Sequence, residues 1–106
     1  MKLVPTYPVP DRMPNGLQWT DKGLFVMDQY SDNVYVLGDG GRVVRTITTP
    51  TENGSGITVG GGDLWTASNG TTKTRGYRPT DTHVPWVYKL DLETGAVVDR
   101  YATPDG

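Results

Sequence analysis

The stretch NGLQWTDKGLFVMDQYSDNVYVLG (Asn15–Gly38) separates short apolar segments with polar turns, and it decides the fold. A second stretch, SGITVGGGDLWTAS (Ser55–Ser68), follows the same rhythm. Gly16 and Gly56 are each followed, eight residues later, by an apolar or aromatic segment. A repeat of this kind in a sequence indicates a repeated structural unit, which determines the whole architecture. It indicates that one fold unit is written twice in the chain.

The two copies continue to match after these stretches, and each copy predicts four strands. No window shows a sustained period of 3.6 residues, so we expect almost no helix. Gly and Asp between the strands favour tight turns, because they adopt positive φ angles at low cost. The predicted strands of the first copy are Leu17–Trp19, Leu24–Asp28, Asn33–Leu37 and Val43–Thr48. Those of the second copy are Ile57–Val59, Leu64–Ser68, Trp86–Leu90 and Val97–Ala102.

Four-stranded units repeated every ~40–50 residues are typical of β-propeller blades, which bury their faces against neighbouring blades. We therefore predict an all-β chain with two four-stranded antiparallel propeller blades and one extra N-terminal strand. The alternative is a small β-sandwich or open barrel. The expected organisation assigns residues 1–10 to the outer strand of a neighbouring blade and residues 11–50 to the first blade. Residues 51–106 form the second blade, with a long loop at 69–86.

The extra N-terminal strand is surplus to two complete blades, and two interpretations follow. In the first, the chain is the N-terminal piece of a six- to eight-bladed protein, and its partners are the missing blades. In the second, the chain self-associates, and three or four copies close a ring. Two blades alone would expose apolar faces and sheet edges, which favours association.

The composition limits the classes of partner. Ten basic and twelve acidic residues give a net charge of -2, without a basic stripe, so nucleic acid is not an expected partner. The chain has no Cys, which excludes disulfides and thiolate chemistry. No segment approaches the ~18 apolar residues of a membrane span, and the N-terminus does not resemble a signal peptide. We expect a soluble protein of unknown compartment, which would be cytoplasmic if Met1 is its true N-terminus.

The repeated pattern G-[LI]-x-[WV]-x4-L-[FW]-[VT], followed by V-Y-x-L, a Gly turn and V-V, resembles the blades of NHL, gluconolactonase-like and virginiamycin-B-lyase-like propellers. The segment VYKLDLETGAVVDRY (Val87–Tyr101) also resembles blades of quinoprotein-like propellers. The gluconolactonase resemblance implies a Glu-Gly-Pro motif whose Glu binds a divalent metal. This chain has Asn15-Gly16-Leu17 there, and an amide oxygen brings no charge to a hard cation. The lyase resemblance implies a His and acidic residues in later blades.

In such a propeller, the loop between the second and third strands lies on the same rim as the connection to the next blade. The long connection after Asn69 carries several cationic and polar side chains, and long loops are often functional. His83 is the only histidine, which excludes a multi-histidine metal site within the chain. The ligand-binding candidates on the rim are Asn15, Asp28, Tyr30, Arg75, Arg78 and His83.

Four of these candidates also have a purely structural interpretation. Asp28 suits the capping of its own turn, and Arg75, Arg78 and His83 suit a solvated loop. We assign no catalytic residue and predict no cofactor, with a calcium-like divalent cation as the alternative. Trp19, Phe25, Trp65, Tyr35 and Tyr88 are expected to pack between blades, whereas Tyr30, Tyr77 and Trp86 flank loops and are candidates for ligand contact.

The leading functional hypothesis is a non-catalytic binding or scaffold module. The alternative is a gluconolactonase- or lyase-like enzyme whose catalytic residues lie mostly in blades outside this chain. A bound divalent ion at Asn15 or Asp28 would favour the enzyme.

Overall fold

A computed structural model of the chain describes residues 13–68, 78–82 and 84–102. Within these ranges the chain forms two four-stranded antiparallel sheets and one short 3-10 turn at Asp39–Gly41. The first sheet contains β1 (Pro14–Thr20), β2 (Gly23–Asp28), β3 (Asn33–Leu37) and β4 (Val43–Thr48). The second contains β5 (Gly54–Gly60), β6 (Asp63–Ser68), β7 (Trp86–Asp91) and β8 (Val97–Ala102). The prediction of an all-β chain with two such sheets is confirmed.

Each sheet is a meander in which every strand pairs with the next one along the chain. The predicted bounds of β3, β4 and β8 match the structure, whereas β1 and β5 are longer than predicted. Pro14 begins β1 because the first position of a strand tolerates a residue without an N–H. The predicted extra N-terminal strand lies outside the described residues. In the described ranges, no helix has the length and apolarity that a membrane span requires.

The two sheets repeat the same irregularities. The β1–β2 and β5–β6 pairings each shift register after their first residue, between Pro14 and Gly16 and between Gly54 and Gly56. A second shift recurs between β3 and β4 and again between β7 and β8. A register shift changes which face of the sheet the following side chains point to. Because both sheets have the same shifts, their equivalent residues point to equivalent faces. The repeat therefore extends from the sequence to the backbone geometry.

The two sheets pack face to face, with β1 beside β5. The apolar core between them contains Phe25 and Met27 of β2, and Leu64 and Leu90 of the second sheet, all essentially inaccessible to solvent. Gly16 allows this approach, because a Cβ there would lie 3.1 Å from the Ser55 carbonyl oxygen. The close contact of the two first strands therefore depends on the glycine of the repeated motif.

Three of the aromatic predictions can be compared directly with this core. Phe25 and Tyr88 are buried between the sheets as expected. Trp19 instead lies on the other face of the first sheet, where 75% of its surface is exposed. Its position alternates with that of Gln18, whose side chain points towards the second sheet. The prediction that Trp19 packs between sheets is therefore not met by the sheets of a single chain.

Candidate functional site

Three segments meet at one end of the two sheets, and we call this end the rim. They are the β2–β3 turn, the connection from β4 to β5, and residues 78–82. Arg78 joins the last segment to the turn, and Glu52 joins it to the connection. The backbone at Asp32 and Asn53 has positive φ angles of 61° and 57°, which Asp and Asn tolerate better than most residues. The rim is therefore built from the residues that such tight bends favour.

Asp28 ends β2 and is buried. Its Oδ1 accepts a hydrogen bond from the N–H of Met13 at 2.6 Å. Its Oδ2 accepts from the N–H of Ser31 at 2.7 Å and from the Ser31 hydroxyl at 2.9 Å. Both carboxylate oxygens therefore hold the β2–β3 turn and the chain entering β1, as expected for an Asp that caps its own turn.

Asp32 is fully buried and links the two sheets at the rim. Its Oδ1 accepts a hydrogen bond of 2.7 Å from the N–H of Gly54, the first residue of β5. Its Oδ2 lies 3.6 Å from Nη1 of Arg78, while Nη2 of Arg78 donates to the carbonyl oxygens of Tyr30 and Ser31. Arg78 thus compensates a buried carboxylate and clamps the turn around it.

Glu52 is the third buried acid of the rim. Its two carboxylate oxygens accept from the N–H of Thr82 at 2.8 Å and from the Thr82 hydroxyl at 2.6 Å. The Thr82 hydroxyl also accepts from the Trp86 indole at 2.8 Å. Burial raises the pKa of the nearby Tyr88 hydroxyl, and the negative charge of Glu52 raises it further, which keeps Tyr88 protonated.

Three buried threonine hydroxyls run beneath this layer. Those of Thr49 and Thr51 are 2.7 Å apart, and the Thr51 and Thr66 hydroxyls are separated by the same distance. The Thr49 hydroxyl also contacts the carbonyl oxygen of Asp32 at 2.7 Å. Because buried polar groups are costly without partners, this chain of contacts fixes the connection from β4 to β5 against both sheets.

The structure brings four of the six predicted candidates to the rim. Asn15 is exposed, and its amide donates to the side-chain oxygen of Gln29 at 2.9 Å. Asp28, Tyr30 and Arg78 belong to the turn described above. Arg75 and His83 lie outside the described residues. Among the described residues, no group of three His, Cys, Asp or Glu side chains has an arrangement that would hold a metal ion.

Trp86, a predicted candidate for ligand contact, is half-buried and packs against the core. The Arg100 guanidinium lies 4.0 Å above its ring. Tyr77, the other loop-flanking candidate besides Tyr30, lies outside the described residues.

An open groove of about 490 Å³ lies at the other end of the first sheet. It is formed by the β1–β2 turn and the β3–β4 turn, with Trp19 on one side and Lys22, Asp39 and Arg42 around it. The groove opens onto the exposed face of the first sheet, which carries Trp19. None of its lining residues was among the predicted candidates.

Sequence reasoning missed Asp32 and Gln18 as structural residues. Asp32 could have been noticed as an Asp directly before a strand, where its side chain can satisfy neighbouring backbone groups. Gln18 stands between Leu17 and Trp19, so strand alternation placed it on the opposite face from them. A polar side chain on a face that packs against another sheet needs a partner, and that requirement was the available signal.

A scan against protein-family models finds no match to this chain, and a search of the curated proteins finds no similar sequence.

Proposed function

We propose that this chain is a propeller-type unit that serves as a binding or scaffold module and carries no catalytic set of its own. The observation that carries this proposal is the use of the rim's acidic groups. Asp28, Asp32 and Glu52 are buried and accept hydrogen bonds from the chain's own N–H and hydroxyl groups. These carboxylates shape the loops, because each bond fixes one loop segment to another.

The repeated sheets support the propeller-type interpretation. Each sheet is a four-stranded meander, and the first strands, β1 and β5, lie side by side in the chain. Blades of a propeller are arranged in this way, each meander packing its face on the next one. Such scaffolds host many functions, so the proposal concerns the unit and leaves its ligand open.

The enzyme alternative requires a divalent cation at the rim. Asn15 stands where the lactonases that the repeat resembles carry a metal-binding Glu, and here its amide donates to Gln29. The oxygens of Asp28 already accept from Met13 and Ser31. A cation at this place would share the carboxylate oxygens with those hydrogen-bond donors, and Asn15 would add no negative charge to strengthen its binding.

The test compares Asp28→Ala with Asp39→Ala in unfolding experiments, with calcium and with a chelator. We expect Asp28→Ala to lower the free energy of unfolding by about 1–3 kcal/mol, because three hydrogen-bond donors lose their acceptor. The loss should be the same in calcium and in chelator. Asp39 lies exposed in the β3–β4 turn at the other end, so Asp39→Ala should change stability by less than about 0.5 kcal/mol.

The contrary result would be a cation site at the rim. If calcium raises the melting temperature of the unmodified chain and Asp28→Ala abolishes that increase, the carboxylate is a metal ligand. The scaffold proposal would then be wrong, and the metal-dependent alternative would replace it.

A further inference from the structure

We infer that the exposed parts of the two outer sheet faces of this chain bind each other between copies, head to tail, in the register of its internal sheet–sheet interface. The Trp19 face is the outer face of the first sheet, with Leu17 and Trp19. The Tyr101 face is the outer face of the second sheet, with Thr58, Trp65 and Tyr101. This inference rests on the proposed propeller-type unit and adds its partner, a second copy of the chain.

The Trp19 face is a copy of a surface that the chain itself buries. Leu17 and Trp19 are 64% and 75% exposed. Their counterparts in the second sheet, Ile57 and Val59, pack against the core. The first strand is thus covered in one unit and uncovered in the other, whereas Val26, which pairs with Leu17 on the Trp19 face, is buried. Large exposed apolar side chains grouped on a sheet face are characteristic of an interaction surface.

On the Tyr101 face, residues of the second sheet are exposed and their counterparts in the first sheet are buried. Its Trp65 and Tyr101 rings stack with centroids 6.2 Å apart, and Tyr101 is 47% exposed. Their counterparts in the first sheet, Phe25 and Ile47, are 1% and 4% exposed because the second sheet covers them. Each exposed face therefore matches one half of the internal interface, and the two halves are different. A head-to-tail contact is the arrangement that joins them.

Side-chain volumes at the rim end agree with this pairing. Inside the chain, the thioether of Met27 fills the space beside Gly54, where a Cβ would overlap its terminal methyl group. The corresponding positions of the exposed faces hold Ala67 and Pro14. Met27 faces Gly54 inside the chain, and Ala67 would face Pro14 between two copies. The larger residue belongs to the first sheet in both pairs, but it lies on opposite faces of that sheet. Close packing between two sheets requires such compensation.

Gly56, the equivalent of Gly16 in the second unit, also supports the proposed contact between copies. Gly16 lets β1 approach β5, since a Cβ there would touch the backbone of Ser55 and the side chain of Ile57. A Cβ on Gly56 would meet only Ala67 of its own sheet. A second copy that approached the Tyr101 face in the internal register would place its β1 beside Gly56. The glycine then provides the same close approach that Gly16 provides inside the chain.

Charge is also complementary at the groove end. Arg45 crosses the internal interface and donates to the carbonyl oxygens of Leu92 and Glu93 in the β7–β8 turn. Its counterpart on the Tyr101 face is Asp99, which is exposed. In the same register, Asp99 would enter the groove of the next copy, which Arg42 lines. An acidic side chain thus replaces a basic one, and Arg42 is its cationic partner in a groove that Asp21 and Asp39 also line.

The test mixes two variants that each block one face. Leu17→Lys/Trp19→Lys blocks the Trp19 face, and Thr58→Lys/Tyr101→Lys blocks the Tyr101 face with the same number of added charges. All four side chains are exposed, so both variants should keep the circular dichroism spectrum of the unmodified chain. Each should lower the association constant by about a hundredfold or more, as expected for changes at the centre of an interface.

Light scattering distinguishes the arrangements. Each blocked variant should be monomeric alone, and an equimolar mixture should form a dimer of one copy of each, because one intact pair of faces remains. A mixture that stays monomeric, at concentrations where the unmodified chain associates, would overturn the inference. So would a blocked variant that still dimerises alone, since that contact joins two identical faces. An unmodified chain that is monomeric throughout would also overturn it, leaving the faces to a different partner.

The register is tested by charge reversal at Arg42 and Asp99. Arg42→Asp and Asp99→Arg should each weaken association, and the double variant should recover most of the lost affinity. Recovery supports the proposed register, whereas additive losses would overturn it. Neither result depends on the rim, so the Asp28 experiment still tests the scaffold proposal if the copies do not associate.

Discussion

The side-chain amide of Gln18 binds both backbone groups of Val59, although the two residues lie on different sheets. Its Nε2 donates to the Val59 carbonyl oxygen at 3.0 Å, and its Oε1 accepts from the Val59 N–H at 2.7 Å. The amide thus forms the pair of hydrogen bonds to β5 that a residue of a neighbouring strand would form. It satisfies both backbone groups of Val59 at the line where the two sheets meet.

Replacing Gln18 with Met should therefore weaken the contact between the sheets. The side chain keeps its length but leaves the N–H and C=O of Val59 without these partners. We expect a loss of about 1–3 kcal/mol in the free energy of unfolding, measured in urea at a fixed protein concentration. Thr80→Val is the control, because Thr80 is exposed and lies outside both sheets. An equal loss in both variants would contradict this role for Gln18.

Asp32 should tolerate Asn far better than Ala. Asn keeps an acceptor for the Gly54 N–H and adopts positive φ readily, whereas Ala loses the bond and adds backbone strain at φ 61°. We expect Asp32→Ala to cost about 2–4 kcal/mol and Asp32→Asn clearly less, by thermal or urea unfolding. If Asn costs as much as Ala, the negative charge facing Arg78 matters more than the hydrogen bond.

Gly23, after the β1–β2 turn, and Gly61, in the β5–β6 turn, should differ in how much their substitution destabilises the fold. A Cβ on Gly23 would overlap the carbonyl oxygen of Leu37, and its φ angle is 127°. Gly61, with φ 60°, has nothing within 4 Å of the same position. We expect Gly23→Ala to destabilise by about 3 kcal/mol and Gly61→Ala by about 1 kcal/mol. Equal effects would show that the β3 backbone yields easily to the added methyl group.

The β7–β8 turn should contribute to acid sensitivity through Asp91. The Thr94 N–H donates to its carboxylate, and this bond holds the pKa of Asp91 below the ordinary value of 3.8. A lowered pKa stabilises the fold above pH 3.8, and that contribution is lost as the pH falls through the folded-state value.

Asp91→Asn should therefore make the acid-side fall in melting temperature shallower, because an amide does not titrate in this range. Melting curves recorded on both sides of pH 3.8 measure this slope. A slope identical to that of the unmodified chain would show that Asp91 makes no contribution to the acid sensitivity.

The sequence was sufficient to predict the strands but not how the two sheets meet. The bounds of β3 and β4 followed from apolar alternation ending at Gly and Pro, which are local signals. β1 extended further because Pro14 and Gly16 pair with Asp28 and Met27 of β2. Propensity alone assigns such residues to turns.

The roles of the rim side chains were harder to predict, because they depend on distant partners. Arg78 reaches the Tyr30 carbonyl, and Glu52 reaches Thr82, only after both sheets have packed. The chemical types were visible in the sequence, but their partners were not. The exposure of Trp19 likewise follows from which face the second sheet covers, and repetition of the motif does not reveal that choice.

Sedimentation equilibrium of the unmodified chain, from micromolar to millimolar concentration, tests the central claim most directly. If the Trp19 face and the Tyr101 face are two halves of one interface, copies join head to tail and close a ring. We expect a limiting mass of three or four chains. A mass of one chain across the whole range, or association that stops at two, would contradict it.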